Sequence, residues 1–136
     1  MLNELYQDLI LDHNRHPRNH GILPEITGQA EGFNPLCGDK VTVYVKLINN
    51  EIQDISFVGC GCAISQASAS LMTEALKNKT IEEAKHIFQQ FHDLLTNDNI
   101  KLPNITDKWM ALSGVRAFPA RVKCATLAWH TLQKAL

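Results

Sequence analysis

The stretch around which the chain is organised is Gly59–Ser70, which reads Gly-Cys-Gly-Cys-Ala-Ile-Ser-Gln-Ala-Ser-Ala-Ser. Its glycines interrupt the strand pattern that precedes them, and the residues from about Ser65 onward have helical spacing. The stretch is therefore predicted to contain the end of a strand, a glycine turn and the start of a helix. Cys62 lies where that helix begins, and free backbone N–H groups at such a position stabilise a thiolate.

Outward from this stretch, the pattern predicts strands early in the chain and helices late. Apolar and polar residues alternate over Val41–Leu47, Ile52–Val58 is the returning strand, and Asn49-Asn50 between them is typical of a two-residue hairpin turn. A short edge strand is expected around Thr27–Ala30. This order favours an α+β fold in one domain (1–136), a small antiparallel sheet of about three strands packed against helices on one face.

Helical spacing and end signals define the helices. Thr80 and Glu83 have the spacing of a capping box, and Pro119 suits the first turn of a last helix. Residues 96–106 are expected to form a loop. Helices are predicted over residues 2–16, 65–77, 80–95 and 107–114 and from Pro119 onward, where Val122, Ala125, Trp129 and Leu132 form the buried stripe of the last helix.

Three histidines near the first helix, His13, His16 and His20, step by three and four residues. This spacing is compatible with a metal site, but Pro17 interrupts the helical geometry that would align all three side chains. A helix-end or surface role is therefore favoured over metal binding.

Composition and charge exclude several classes of function. The net charge of −1 and the pI of about 6.6 argue against a general nucleic-acid or membrane-surface role. The N-terminus does not resemble a signal peptide, and no apolar run is long enough to span a membrane. A cytoplasmic protein is expected, in which the four cysteines serve metal binding or catalysis rather than disulfides.

The candidate site consists of thiols and one carboxylate from distant parts of the chain. Cys37 and Asp39 flank Gly38, and in extended chain their side chains point the same way. Together with Cys62 and Cys124 they offer three sulfurs and one oxygen, a set that suits zinc and, through the thiolates, iron–sulfur clusters. The nearby cations Arg121 and Lys123 would favour the thiolate form of Cys124.

Each of these residues also has a plainer interpretation. Isolated cysteines are usually buried small apolar residues, and Cys124 is the clearest candidate for that role. Asp39 could cap a turn, and Lys123 could be a solvated helix residue. Cys60 could be a fourth sulfur ligand, a redox partner of Cys62 or, as we favour, a residue with a secondary role or none.

At these residues the sequence resembles the U-type iron–sulfur cluster assembly proteins, the IscU/NifU N-terminal family, over nearly the whole chain. Within that family it is most similar to the SufU branch. The segments that carry the resemblance are Asp12-His13, Pro17-Arg18-Asn19 with Gly21, Asn34-Pro35, Cys37-Gly38-Asp39, Gly61–Ser65, Ala67–Ser70, Phe118–Arg121 and Lys123–Leu127 with Trp129. The resemblance implies a compact α+β domain and places the family's functional residues at Cys37, Asp39, Cys62 and Cys124, with no counterpart for Cys60.

Three features separate the sequence from the IscU-type scaffolds. Those proteins carry a histidine before the third cysteine, where this chain has Lys123. Their chaperone-binding segment Leu-Pro-Pro-Val-Lys corresponds here to Phe118–Lys123, which reads Phe-Pro-Ala-Arg-Val-Lys and puts that interaction in doubt. The stretch between Cys62 and Cys124 is long and includes residues 96–117, as in the SufU branch.

The SufU resemblance implies a zinc-dependent sulfur acceptor, that is, a sulfurtransferase, whose partner is a pyridoxal-phosphate-dependent cysteine desulfurase. Zn²⁺ is held by Cys37, Asp39, Cys62 and Cys124, and a desulfurase histidine frees Cys37 to attack the persulfide. Sulfur then passes to downstream assembly or acceptor proteins. The alternatives are a scaffold that assembles a transient [2Fe–2S] cluster from iron and sulfide on the same residues, and a structural zinc domain that only binds a protein partner.

Overall fold

The computed structural model describes residues 4–35, 38–96 and 119–136, in which a three-stranded antiparallel sheet packs against helices. The expected loop and short helix within residues 97–118 lie outside this range. The described elements are α1 (Glu4–Arg15), β1 (Gly28–Asn34), β2 (Asp39–Ile48), β3 (Glu51–Cys60), α2 (Ala63–Leu76), α3 (Ile81–Thr96) and α4 (Pro119–Ala135). The α+β class and the strand-then-helix order are as predicted.

The sheet has the strand order β1-β2-β3, and both strand pairs are antiparallel. The predicted hairpin turn is confirmed, since Ile48 pairs with Glu51 and both intervening asparagines have positive φ, 53° at Asn49 and 63° at Asn50. Asn tolerates this backbone conformation, so the two-residue loop fixes the register between β2 and β3. That register leads β3 directly to Cys60 and the glycine turn.

The edge strand β1 is longer than the sequence indicated, because it continues beyond Ala30 to Asn34. Gly32 had favoured a loop at this point. In the structure Gly32 pairs with Val41, and a side chain at Gly32 would collide with Thr131 on α4. The glycine therefore permits close packing of a helix on the strand instead of ending it. The extension carries Asn34 to the position opposite Asp39.

The core lies between the sheet and the helices α2 and α4. α4 packs on β1 and β2, α2 packs on β3 and on α4, and α1 packs on α2. Trp129 is fully buried and stacks on Phe91 of α3, with ring centroids 4.4 Å apart. Ser68 ties the two central helices together, because its hydroxyl donates to the Ala125 carbonyl and accepts the indole N–H of Trp129 at 3.1 Å.

The predicted capping box at the start of α3 is confirmed. The Thr80 N–H donates to Glu83 Oε1 at 3.0 Å, and the Glu83 N–H donates to Thr80 Oγ1 at 3.1 Å. Hydrogen bonding of the carboxyl to Thr80, first to its backbone N–H and then to its side chain, lowers the pKa of Glu83 below its ordinary value, because it favours the charged form.

The predicted helix-end position is confirmed for His13, which lies in the last turn of α1, but its side chain is 1% exposed, so a surface role is wrong for this residue. It lies three residues after Ile10, on the face of α1 that packs on α2, and its Nδ1 is hydrogen-bonded to Ser70 Oγ at 2.7 Å. The Arg18 N–H also donates to Ser70 Oγ, at 2.9 Å. His16 and His20 are exposed, as expected. His13 therefore helps to join the segment after α1 to α2.

Candidate metal centre

Three of the predicted ligands, Asp39, Cys62 and Cys124, meet at one point. Their ligand atoms all lie within 4.8 Å of one another, and they are the one group of three or more such side chains found among the described residues. Asp39 and Cys124 are fully buried and Cys62 is partly buried. Each comes from a different element: the start of β2, the beginning of α2 and the first turns of α4.

The glycine turn between β3 and α2 sets the contact between Asp39 and Cys62. Gly61 has a φ of +147°, a conformation that L side chains rarely adopt, and a Cβ on it would collide with the Asp39 side chain. With glycine there, the Asp39 carboxylate lies beside the turn, and its Oδ1 accepts the Cys62 N–H at 2.9 Å. Asp39 therefore caps the turn, as suggested, and this contact is compatible with a role as metal ligand.

Cys62 is the N-cap of α2. It has extended backbone angles, φ −72° and ψ 163°, and its Sγ accepts the Ser65 N–H at 3.5 Å. A thiol thus occupies the position usually taken by Ser, Thr, Asp or Asn. The predicted position of Cys62 at the start of a helix is confirmed, although the helix begins at Ala63, slightly before the expected start near Ser65.

Cys124 faces the same point from the buried side of α4. Its complete burial is what the plainer interpretation as a small apolar residue requires, but it adjoins a carboxylate and a second thiol. The Asn34 amide joins this pair, since its Nδ2 lies 3.6 Å from Cys124 Sγ and 3.3 Å from Asp39 Oδ2. Sequence reasoning missed Asn34, although its place just before Pro35 and the Cys-Gly-Asp segment was a signal.

The remaining predicted site residues are placed differently. Cys37 lies outside the described residues. Cys60 is exposed at the end of β3, opposite Lys40, and does not belong to the group formed by Asp39, Cys62 and Cys124. Arg121 and Lys123 are exposed on α4, and the exposure of Lys123 is compatible with the simple solvated role.

A groove of about 350 Å³ adjoins the centre on the side of β1 and α4. Asn34 and Lys123 belong to its lining, and so does Phe33, which is 64% exposed. His130 lies in the same lining, and partial burial lowers its pKa, with smaller contributions from the nearby positive charges of His92 and Lys134. The groove therefore leads from the protein surface to Asn34, which contacts the candidate ligands Asp39 and Cys124.

The donor set fits zinc. Tetrahedral zinc has bonds of about 2.3 Å to sulfur and about 2.0–2.2 Å to oxygen, so its neighbouring ligand atoms lie roughly 3.5 Å apart. The candidate ligand atoms lie within 4.8 Å of one another, which is close to that spacing. Two thiols and a carboxylate from the described residues would fill three of the four coordination positions of zinc and leave one for a further ligand. Thiolates also bind iron, so the geometry alone admits both metals.

Fold and site together define an α+β protein with a candidate metal centre of two thiols and one carboxyl group from three elements. The family of NifU-like N terminal domains matches residues 5–136, and the chain belongs to that family. In the described part of the chain, no helix is both long and apolar enough to cross a membrane.

Two curated relatives are similar over almost the whole chain. The zinc-dependent sulfurtransferase SufU of Bacillus subtilis (strain 168) is 43% identical over 137 residues, which cover 98% of this chain and 90% of the relative. The iron–sulfur cluster assembly scaffold protein IscU of Streptococcus pyogenes serotype M1 is 38% identical over 135 residues, which cover 99% and 84%.

Solved structures show the same fold. A putative iron–sulfur cluster assembly scaffold protein for the SUF system from Fervidobacterium islandicum AW-1 superposes with a TM-score of 0.86 and 34% identity, covering 94% of this chain and 93% of its own. A NifU-like N-terminal protein from Brucella abortus gives a TM-score of 0.84 and 26% identity, covering 96% and 90%.

Proposed function

We propose that this protein acts in iron–sulfur cluster assembly as a zinc-dependent acceptor of persulfide sulfur from a cysteine desulfurase. The convergence of Asp39, Cys62 and Cys124 carries the proposal, because it supplies two thiols and a carboxyl group as ligands for zinc. The similarity to a zinc-dependent sulfurtransferase supports the same function. Lys123, where IscU-type scaffolds have a histidine, agrees with sulfur transfer rather than cluster building.

In this function the zinc ligands are Asp39, Cys62, Cys124 and Cys37. Bound zinc would keep its cysteine ligands deprotonated at neutral pH. Hydrogen bonds fix the two sulfur atoms in place: Cys62 Sγ accepts the Ser65 N–H at the N-terminus of α2, and the Asn34 amide donates to Cys124 Sγ. Asp39, fixed by the Cys62 N–H, supplies the oxygen ligand.

Cys37 is the proposed sulfur-accepting residue. Its thiolate attacks the outer sulfur of the desulfurase persulfide, a new sulfur–sulfur bond forms, and the old bond breaks. The electron pair leaves with the desulfurase cysteine as a thiolate, so Cys37 carries the persulfide without a net change in oxidation state. A downstream assembly or acceptor protein then receives the sulfur. Lys123 and Arg121 lie within three residues of Cys124 in the sequence and supply positive charge on that helix, and Cys60 remains outside the exchange.

The test is cysteine desulfurase turnover under a mild reductant, with and without the zinc-loaded protein. We expect a large rise in turnover that depends on zinc and is lost in Cys37→Ala. Cys60→Ala is the matched control, because this exposed cysteine lies outside the group of candidate ligands and its variant should stimulate turnover like the parent.

Stimulation by Cys37→Ala equal to that of the parent would overturn the assignment of Cys37. If the parent itself gives no rise, the scaffold function becomes the better account. It is favoured by the similarity to the IscU scaffold protein and by a carboxylate among the donors, which would make a [2Fe–2S] cargo labile.

A further inference from the structure

Asn34 is a buried polar residue whose position is set by the sheet. It ends β1, pairs with Asp39 on β2, and is only 5% exposed. Pairing at this register brings the side chains of residues 34 and 39 together wherever the β1–β2 ladder is formed. A buried side-chain amide is costly unless its polar atoms find partners, so this position requires specific contacts.

The Asn34 contacts bridge two of the candidate ligands. Its Nδ2 lies 3.3 Å from Asp39 Oδ2 and 3.6 Å from Cys124 Sγ, so one NH₂ group can donate to both. These two ligands come from β2 and α4 and have no covalent connection near the site. The amide therefore fixes the separation between a strand ligand and a helix ligand.

The Asp39 carboxylate is thereby held from two directions. Its Oδ1 accepts the Cys62 N–H at 2.9 Å, while its Oδ2 faces the Asn34 amide. A carboxylate oxygen has more than one acceptor site, so these hydrogen bonds orient the group and leave room for a metal. Donors outside the ligand set that orient the ligands in this way typically change metal affinity when removed.

We infer that Asn34 is a positioning residue of the metal centre, which holds Asp39 and Cys124 at the spacing the ion requires. The inference rests on the proposed metal-dependent function. Asn34 does not bind the ion in this assignment; it acts through the two ligands that it contacts.

The test compares zinc affinity of the full-length parent, Asn34→Ala and Asn34→Leu by competition with a chromophoric chelator. Leucine keeps the branched shape and the same number of side-chain heavy atoms without a donor, and alanine removes both the shape and the donor. We expect zinc affinity to fall about 10- to 100-fold in both variants. Cobalt(II) in place of zinc gives a second readout, because its thiolate charge-transfer and d–d bands report ligand geometry, and we expect these bands to change.

Ser56→Ala is the matched control. Ser56 is a buried polar residue of the same sheet, and its hydroxyl donates to the Gly21 carbonyl at 2.7 Å, away from the candidate ligands. This variant should lose stability without losing zinc affinity. Circular dichroism of each metal-free variant shows whether the fold persists.

The outcomes separate the inference from the proposed function. Unchanged zinc affinity and cobalt bands in both Asn34 variants would overturn the inference while the proposed function stands. Loss of the fold in both variants would assign Asn34 to the fold alone and also overturn it. A parent protein that binds no zinc would overturn both.

Discussion

At the scale of single residues, the centre depends on a position where no side chain fits. Gly61 combines a positive φ with the direct approach of the Asp39 side chain, so two independent constraints apply to one residue. The first concerns the backbone alone and the second concerns the carboxylate that accepts the Cys62 N–H. A comparison of two glycines can separate their effects.

Gly61→Ala is expected to reduce both stability and zinc affinity. The substitution strains the backbone, at a cost of about 1–3 kcal/mol, and it pushes Asp39 away from Cys62. Urea unfolding of the metal-free protein measures the first effect, and zinc competition measures the second.

Gly21→Ala is the control, because Gly21 has a similar φ of +137° and nothing within 4 Å of the added Cβ. It should show a backbone cost with unchanged zinc affinity. Equal zinc affinities in the two variants would contradict the proposed contact between Gly61 and Asp39.

At the scale of elements, α3 begins with a pair of reciprocal hydrogen bonds that depend on pH. The Glu83 carboxyl accepts the Thr80 N–H, and its pKa in the folded protein lies below the ordinary value of 4.5. Because the folded-state pKa is the lower one, the stabilisation is fully present above the unfolded-state pKa and is lost as pH falls through the folded-state pKa.

Glu83→Gln is therefore expected to flatten the acid limb of the stability profile below about pH 4.5. Thr80→Ala should cost about 1 kcal/mol at neutral pH, because it removes the hydroxyl that accepts the Glu83 N–H. Urea unfolding at a series of pH values measures both. Glu82→Gln, an exposed neighbour on the same turn, serves as the control. An unchanged acid limb in Glu83→Gln would show that the carboxyl contributes nothing at this helix end.

Local patterns predicted most of these elements, because turn chemistry, alternation and capping act over a few residues. The Asn49-Asn50 turn and the Thr80–Glu83 box are examples. The predictions that failed concern features set by tertiary contacts. β1 continues through Gly32 because α4 packs on that residue, and His13 is buried because α2 covers it.

The candidate site likewise has features that local sequence predicts and features that only tertiary packing determines. Residue type and local context singled out Asp39, Cys62 and Cys124, which the structure brings together. The role of Asn34 could not be read from spacing, because an amide contacts a thiol 90 residues away only once β1 and α4 have packed.

At the scale of the whole molecule, most of the core consists of residues other than the candidate ligands. The buried cluster includes residues such as Phe57, Leu71, Phe91 and Trp129, which lie outside the candidate ligand set. A chain of this length buries enough apolar surface to fold without a metal. The centre is therefore expected to add stability to a fold that already exists.

Removal of zinc by a chelator should leave the protein folded with a lower melting temperature. Zinc at 100 times its Kd adds about 2.7 kcal/mol, provided that the unfolded chain does not bind it. Far-UV circular dichroism at 25 °C and a thermal scan, with and without zinc, measure both quantities. Unfolding on metal removal would favour the structural zinc domain instead.

The separation of the candidate ligands along the chain has a consequence for which copies of the protein would bind metal in the cell. Cys62 and Cys124 are 62 residues apart, and in an unfolded chain closing such a loop costs roughly 3–4 kcal/mol of entropy. In the folded protein, packing of the sheet and helices has already met that cost, so the proposed metal affinity would be high only in folded molecules. Nascent or damaged copies would compete poorly for scarce zinc, so bound metal would indicate a correctly folded molecule.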